Sequence, residues 1–175
     1  ILWRLTLEPD ALAALALSLG ADVPMCLHGT TCFAGGIGEK IDAAPELPDC
    51  ALLLVNPGIS LATPEVFGVR DGHFSQPARF DRAARDAQDL AELLAARRND
   101  LEAPASGLAP AIGDVLQALR ALPGCRLARM SGSGATCFAL FDDAAQAAQS
   151  ADDLCAGHAG WWIASSHFVR TNSAP

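Results

Sequence analysis

Apolar positions along the chain fall into blocks whose spacing switches between helical and extended. Leu12, Leu15, Ala16 and Leu19 recur at helical spacing, Pro9 suits a first turn and Gly20 a stop, which predicts a helix over Glu8–Leu19. Met25 to Ile41 reads as two strands turning near His28–Thr30, with Gly35, Gly36 and Gly38 marking a tight exit. Pro45–Asp49 reads as a linker. Cys50–Val55 is a continuous apolar strand stopped by Asn56-Pro57-Gly58, and Thr63-Pro64 opens a short helix that reaches Val69. Gly68 to Pro77 is polar and reads as a mobile connection.

Arg79–Arg98 predicts a helix with charges on most faces. Beyond Asn99-Asp100-Leu101-Glu102, the positions Leu108, Ile112, Val115, Leu116, Leu119 and Leu122 keep the 3.6-residue period of a second helix. Arg126–Met130 and Thr136–Phe141 form strands on either side of a glycine loop. A helix over Ala144–Cys155 and a strand over Trp161–Val169 close the chain. From residue 50 the order is strand, helices, strand, strand, helix, strand, which predicts an α+β fold with helices packed on one antiparallel sheet. Ile1–Leu5 looks like the tail of a helix already under way, and the absence of an initial Met predicts the back part of a longer protein.

Composition narrows the partners. At 175 residues, with 51% hydrophobic and 18% charged positions, the chain can bury a real core and disorder is excluded as a general state. A net charge of −8 argues against nucleic acid or an anionic membrane as the main partner, yet leaves room for an anionic small molecule met by local donors. No apolar run approaches the roughly 20 residues of a membrane span, and no signal peptide opens the chain. The six cysteines (Cys26, Cys32, Cys50, Cys125, Cys137, Cys155) show no CxxC spacing and the four histidines do not cluster with them. They read as reduced, small, buried side chains in a cytoplasmic protein, with no protein-held metal.

Three segments carry candidate chemistry. In Met130–Phe141, MSGSGATCFALF, two glycines and two serines fill four consecutive positions ahead of an apolar strand. Such a loop can approach a ligand closely and turn its N–H groups into one concavity. No lysine follows and no helix follows, so neither a P-loop nor a dinucleotide fingerprint fits; a plain hairpin turn and a phosphate-facing nest both remain open. Asp22 stands between a helix-ending Gly20-Ala21 and the apolar Val23-Pro24-Met25-Cys26-Leu27. It is either a turn cap or a partly buried carboxylate that orients a hydroxyl and takes its proton. Asn56–Ser60 with Thr63–Phe67 joins a strand end to a helix start whose N–H groups and hydroxyls could meet an anion, and Phe67 is either core or a platform for a flat ring. His28, His73, His158 and His167 read as structural or surface residues, and Trp161-Trp162 as part of the last strand.

Taken together, these segments resemble the later part of the GHMP kinases. The resemblance rests on Leu19–Pro24 (LGADVP), Phe33–Glu39 (FAGGIGE), Val55–Ser60 with Thr63–Phe67, Asn99–Glu102 (NDLE) and Ser131–Phe138 (SGSGATCF). It implies the end of a GHMP N-terminal domain over residues 1–44 and a ferredoxin-like C-terminal domain over 45–175. It also implies a kinase using ATP and Mg2+ on a small-molecule substrate. The GADVP and SGSGATCFALF segments favour the branch that phosphorylates the 2-hydroxyl of a cytidine diphosphate-linked methylerythritol, in non-mevalonate isoprenoid synthesis. On that resemblance Asp22 matches the catalytic acid/base, Phe67 the aromatic that stacks on cytosine and Thr63 a residue near the substrate. Gly132, Ser133 and Gly134 would shape the substrate pocket beside the transferred phosphate.

One departure shapes the expectation of activity. The family's ATP-binding glycine- and serine-rich loop, and the lysine that pairs with its catalytic aspartate, lie upstream of GADVP, and Lys40 is the only lysine here. The chain by itself is therefore expected to lack kinase activity. A non-catalytic remnant and another small-molecule GHMP kinase are the alternatives. Residues 1–44 are expected to leave Leu12, Leu15, Leu19 and Phe33 without partners, which would favour self-association.

Overall fold

The computed structural model describes residues 7–168, which divide into two compact units. The predictions for Ile1–Leu5 and for the end of the last strand at Val169 lie outside the described residues.

The first unit comprises the described residues 7–46 and 79–83. It holds helix α1 (Pro9–Leu19), helix α2 (Val23–His28) and an antiparallel hairpin of β1 (Cys32–Gly35) and β2 (Lys40–Ala43), paired from Cys32 with Ala43 to Gly35 with Lys40. The strand expected from Met25 onward is thus a helix to His28, and the hairpin turns at Gly36–Glu39 rather than near His28–Thr30. A short apolar run cannot distinguish the two states by periodicity, whereas its punctuation could have done so. Asp22 precedes the run, Pro24 sits in the first turn, and Gly29 ends it in the left-handed region at φ 70, its N–H reaching the Met25 carbonyl. On α1 only Ala16 is buried; of the residues expected to stand uncovered, Leu15 and Leu19 are 49% and 70% exposed among the described residues, while Leu12 is half-buried. Phe33 departs from that expectation. It meets Phe80 edge-on at 5.5 Å between ring centroids, and the Arg79 guanidinium lies 5.1 Å from its ring centre.

The second unit comprises the described residues 47–78 and 84–168. Its elements are β3 (Ala51–Asn56), α3 (Thr63–Val69), α4 (Ala87–Ala95), α5 (Glu102–Leu108), α6 (Ala111–Ala121), β4 (Leu127–Met130), β5 (Cys137–Phe141), α7 (Ala144–Gly157) and β6 (Trp162–His167). All neighbours in the sheet are antiparallel, in the order β4-β5-β3-β6, with Val55 opposite Cys137 on one side and Ile163 on the other. Alternate residues of the strands feed two cores. Leu53, Val55, Cys137, Ala139 and Phe141 pack with Val66, Ile112, Val115 and Leu119, while Leu140, Leu52 and Phe138 pack with Ala87, Leu90 and Ala91 of α4. Helices therefore cover both faces near β5, which explains why its sequence is apolar without alternation.

Two predicted helices are cut shorter. The one over Arg79–Arg98 is confined to α4, because Asp86 adopts an extended conformation and its side chain accepts the Asp89 N–H at 2.8 Å as an N-cap. Asp89 is itself buried and accepts the Arg85 amide at 2.9 Å and its guanidinium at 3.2 Å, which holds the chain just before the helix. The second predicted helix is two, α5 and α6. Pro110 disfavours helical geometry at Ala109, which sits at φ −136, and Leu108 is left 44% exposed at the break. Cys26 and Cys155 are exposed, contrary to the expectation that the cysteines are buried.

Candidate active site

In the first unit, Asp22 occupies the N-cap position of α2. Its carbonyl accepts the Cys26 N–H at 3.1 Å, but its carboxylate caps nothing and accepts no hydrogen bond among the described residues. The expected partial burial is not found: Asp22 is exposed. The peptide that leads into it is fixed from the hairpin. A Cβ on Gly38, at φ +100, would stand 1.9 Å from the Ala21 carbonyl oxygen, so the turn lies directly on the backbone of the residue before Asp22. Glu39 ties that turn by accepting the Ile37 N–H at 2.6 Å. Hydrogen bonds from its own amide and from Ile37 hold its carboxyl below the ordinary value.

In the second unit the glycine loop connects β4 to β5. The Ser131 N–H donates to the Thr136 carbonyl and the Gly134 N–H to the Ser131 carbonyl, each at 2.9 Å, so the loop is a closed turn. The Gly134–Ala135 peptide is cis. Gly132 is at φ +54 with open space where a Cβ would be, whereas a Cβ on Gly134 would stand 2.8 Å from the Met130 sulfur and 3.3 Å from Ile112 Cδ1. The tip is thus open and the base packed. The N–H groups of Gly132 and Ser133 bond to nothing among the described residues. Hairpin turn and donor-bearing loop are the same object here.

Side chains from distant segments meet this loop. The hydroxyls of Thr63 and Ser133 share a hydrogen bond of 2.8 Å, which joins the start of α3 to the tip of the loop across 70 residues of sequence. Asn56 donates to the Thr136 hydroxyl at 2.9 Å and accepts the Gly58 N–H at 2.8 Å, so the turn after β3 is tied to the end of the loop. Gly58, at φ +76, has no room for a side chain, since a Cβ would lie 2.8 Å from the Gly160 carbonyl oxygen. Asn99 donates to the carbonyls of Met130 and Gly132 at 3.1 and 2.7 Å, and Glu102 accepts the Met130 N–H at 3.2 Å.

The start of α3 offers fewer donors than its sequence suggests. Pro64 has no N–H, and those of Glu65 and Val66 both donate to the Ala62 carbonyl. The Thr63 hydroxyl, not the helix end, is what this segment presents. Phe67 lies one turn further on and is 48% exposed, which discards the reading as core. Its ring centroid is 6.4 Å from that of Phe74 at a tilt of 56°, and the Arg70 guanidinium caps the Phe74 ring at 3.6 Å. The structure therefore brings Thr63, Gly132, Ser133 and Gly134 together and leaves Phe67 open beside a second aromatic. Sequence reading includes Asn56 in a candidate segment and Asn99 and Glu102 in a motif, but assigns none of the three a role in holding the loop; an Asn ending a strand and an Asn just before a helix are the available signals.

The glycine loop is one of the segments on which the resemblance to GHMP kinases rests, and comparison with known proteins points the same way. Residues 80–159 match the family model described as the C-terminal part of GHMP kinases, so this part of the chain is a GHMP kinase C-terminal domain. Among curated relatives, the 4-diphosphocytidyl-2-C-methyl-D-erythritol kinase of Paramagnetospirillum magneticum is 50% identical over 163 residues, 93% of this chain and 57% of that protein. The kinase of the same name from Rhodospirillum rubrum is 46% identical over 168 residues, 96% of this chain and 55% of that protein. The chain thus spans a little over half the length of these relatives. A solved 4-(cytidine 5'-diphospho)-2C-methyl-D-erythritol kinase superposes with a TM-score of 0.66 at 32% identity, over 94% of this chain and 59% of that one. A homoserine kinase from Cytophaga hutchinsonii, at TM-score 0.57 and 19% identity over 82% of this chain and 50% of its own, shares the fold.

Proposed function

We propose that this chain carries the proton-accepting carboxylate and the acceptor-side loops of an ATP-dependent kinase that phosphorylates the 2-hydroxyl of 4-diphosphocytidyl-2-C-methyl-D-erythritol. The observation that carries the reading is the Thr63–Ser133 bridge, which unites two segments of the family resemblance into one donor-bearing rim. The names of relatives at 50% and 46% identity supply the substrate.

In this reading Phe67 stacks on the cytosine and the Thr63 hydroxyl meets the substrate. The free N–H groups of Gly132 and Ser133 donate to phosphate oxygens. Asp22 orients the 2-hydroxyl. A carboxylate with an ordinary pKa of ~4 does not deprotonate an alcohol beforehand. In a loose phosphoryl-transfer transition state the hydroxyl loses its proton late, so an aligned carboxylate positions the nucleophile first and accepts the proton afterwards. ATP supplies the transferred phosphoryl group. No three His, Cys, Asp or Glu side chains come together as a metal cage among the described residues; the Mg2+ of such a reaction is ordinarily carried by the nucleotide phosphates with one or two carboxylates and needs no such cage.

The test is ADP release with the cytidylated substrate and with homoserine, by this chain alone and by the gene product including whatever coding sequence precedes Ile1. The chain alone is expected to be inactive. The longer product is expected to turn over the cytidylated substrate and to lose a factor of about 10²–10⁴ on Asp22→Asn. Turnover by the chain alone that Asp22→Asn abolishes would overturn the first expectation, and turnover of homoserine in place of the cytidylated substrate would overturn the reading.

A further inference from the structure

The segment Asn99-Asp100-Leu101-Glu102 belongs to the family resemblance but has no place in the chemistry above. Its side chains nevertheless reach both parts of the second unit to which that chemistry assigns the ligand. Asn99 donates to the carbonyls of Met130 and Gly132, and its own Oδ1 accepts the Leu101 N–H at 3.0 Å, which fixes the side chain. Glu102 accepts the Met130 N–H and also faces Arg120 at 3.5 Å. These bonds hold the start and tip of the glycine loop.

Asp100, between them, faces the other way. One of its oxygens accepts both the Ser75 N–H at 2.6 Å and the Ser75 hydroxyl at 2.7 Å, while the other accepts Arg98 Nε at 2.6 Å. Ser75 is the neighbour of Phe74, the ring that tilts against Phe67 and carries Arg70 on its face. Arg97 reaches the Ala78 carbonyl a few residues on. Residues 70–78 contain no helix or strand, so these tethers, rather than a hydrogen-bonded ladder, hold Phe74 where it is.

We propose that the Asn99–Glu102 turn is a positioning hub, in which Asn99 and Glu102 set the glycine loop and Asp100 sets Phe74 beside Phe67. One tetrapeptide then fixes the spacing between a phosphate-facing rim and an aromatic platform. A pyrimidine nucleoside diphosphate, with a flat base at one end and phosphates at the other, is the class of ligand that needs both parts held at a fixed separation. The ligand assignment rests on the function proposed above; the two-armed mechanical arrangement does not.

The two arms predict different losses. With CDP and cytidine as probes in calorimetric titrations of the full gene product, Asn99→Ala is expected to weaken CDP about fivefold, the effect of roughly one lost hydrogen bond, and to leave cytidine unchanged. Asp100→Ala is expected to weaken both probes by the same factor, with Asp100→Asn restoring most of it because an acceptor oxygen remains for Ser75. Equal losses of both probes in Asn99→Ala and Asp100→Ala, tracking the fall in melting temperature, would reduce the turn to a merely structural role and overturn the proposal. If the unsubstituted protein binds neither probe, the functional reading fails. Amide hydrogen exchange then decides the hub by itself. Asn99→Ala is expected to speed exchange within 131–134 only and Asp100→Ala within 72–78 only, and any spread across both segments overturns it.

Discussion

Two glycine-bearing loops, Gly35–Glu39 in the first unit and Ser131–Gly134 in the second, look alike in sequence and are built on opposite principles. The first is held by its own residues and pressed against a neighbour. Glu39 accepts an amide two positions away, and Gly38 lies so close to Ala21 that no side chain fits. The second is open at its tip and held from outside, by Asn56, Thr63, Asn99 and Glu102 from three distant segments. A glycine can thus be required because something touches it or because the chain bends there, and only the surroundings say which.

The sharpest way to break that contrast is a matched pair of alanines. Gly38→Ala combines a left-handed φ with a clash against backbone and is expected to cost about 3 kcal/mol or more in denaturant melts. Gly132→Ala meets open space and is expected to cost only the left-handed strain, about 1 kcal/mol. Similar losses at the two sites would show that contact with Ala21 is not what sets the first loop.

Thiol chemistry separates exposed from packed positions more gently. Burial raises the Cys137 thiol to about 12 and the Cys50 thiol to about 11, whereas Cys26 on α2 and Cys155 on α7 are exposed. In a maleimide time course at pH 8 the exposed pair is expected to react first, and Cys137 only as the protein unfolds. Early modification of Cys137 in the native state would mean that the second unit opens locally at β5.

The smallest effect is in acid. The Glu39 carboxyl lies below its ordinary value because its own amide and that of Ile37 donate to it, and the Asp100 carboxyl because the Ser75 amide, the Ser75 hydroxyl and Arg98 do. A carboxyl lowered by folding contributes its full stabilisation above the ordinary pKa of about 4 and loses it as the pH falls through the lowered value. The Ile37 and Ser75 amides are therefore expected to keep their protection down to about pH 4 and to lose it only below. Loss of protection at Ser75 near pH 6 would contradict this.

Much of the second unit was legible because its signals were redundant. β3 has an apolar run with Asn-Pro-Gly after it, and the β4–loop–β5 unit has strands too short and too apolar to be helices. The errors arose where one signal stood alone. The apolar stretch of α2 was read by hydrophobicity against its caps, the region before α4 was read as helix past the Asp86 cap, and Pro110 was overlooked inside a good helical period. In the site, Thr63 and Ser133 were each recognisable, but their hydrogen bond depends on how β3 and β5 pair, which no local pattern encodes. Asn99 was visible only as part of a motif, because side chain to carbonyl bonds leave no periodic trace.

The bonds made to Met130 have one more consequence. β4 is an edge strand, and edge strands expose backbone groups on which another chain can build. At its last residue the N–H is taken by Glu102 and the carbonyl by Asn99, both from outside the sheet. The ladder is sealed by side chains where the strand leaves for the glycine loop, so a foreign strand finds no free rung there. The tetrapeptide that braces the loop thereby also closes the last rung of that open edge.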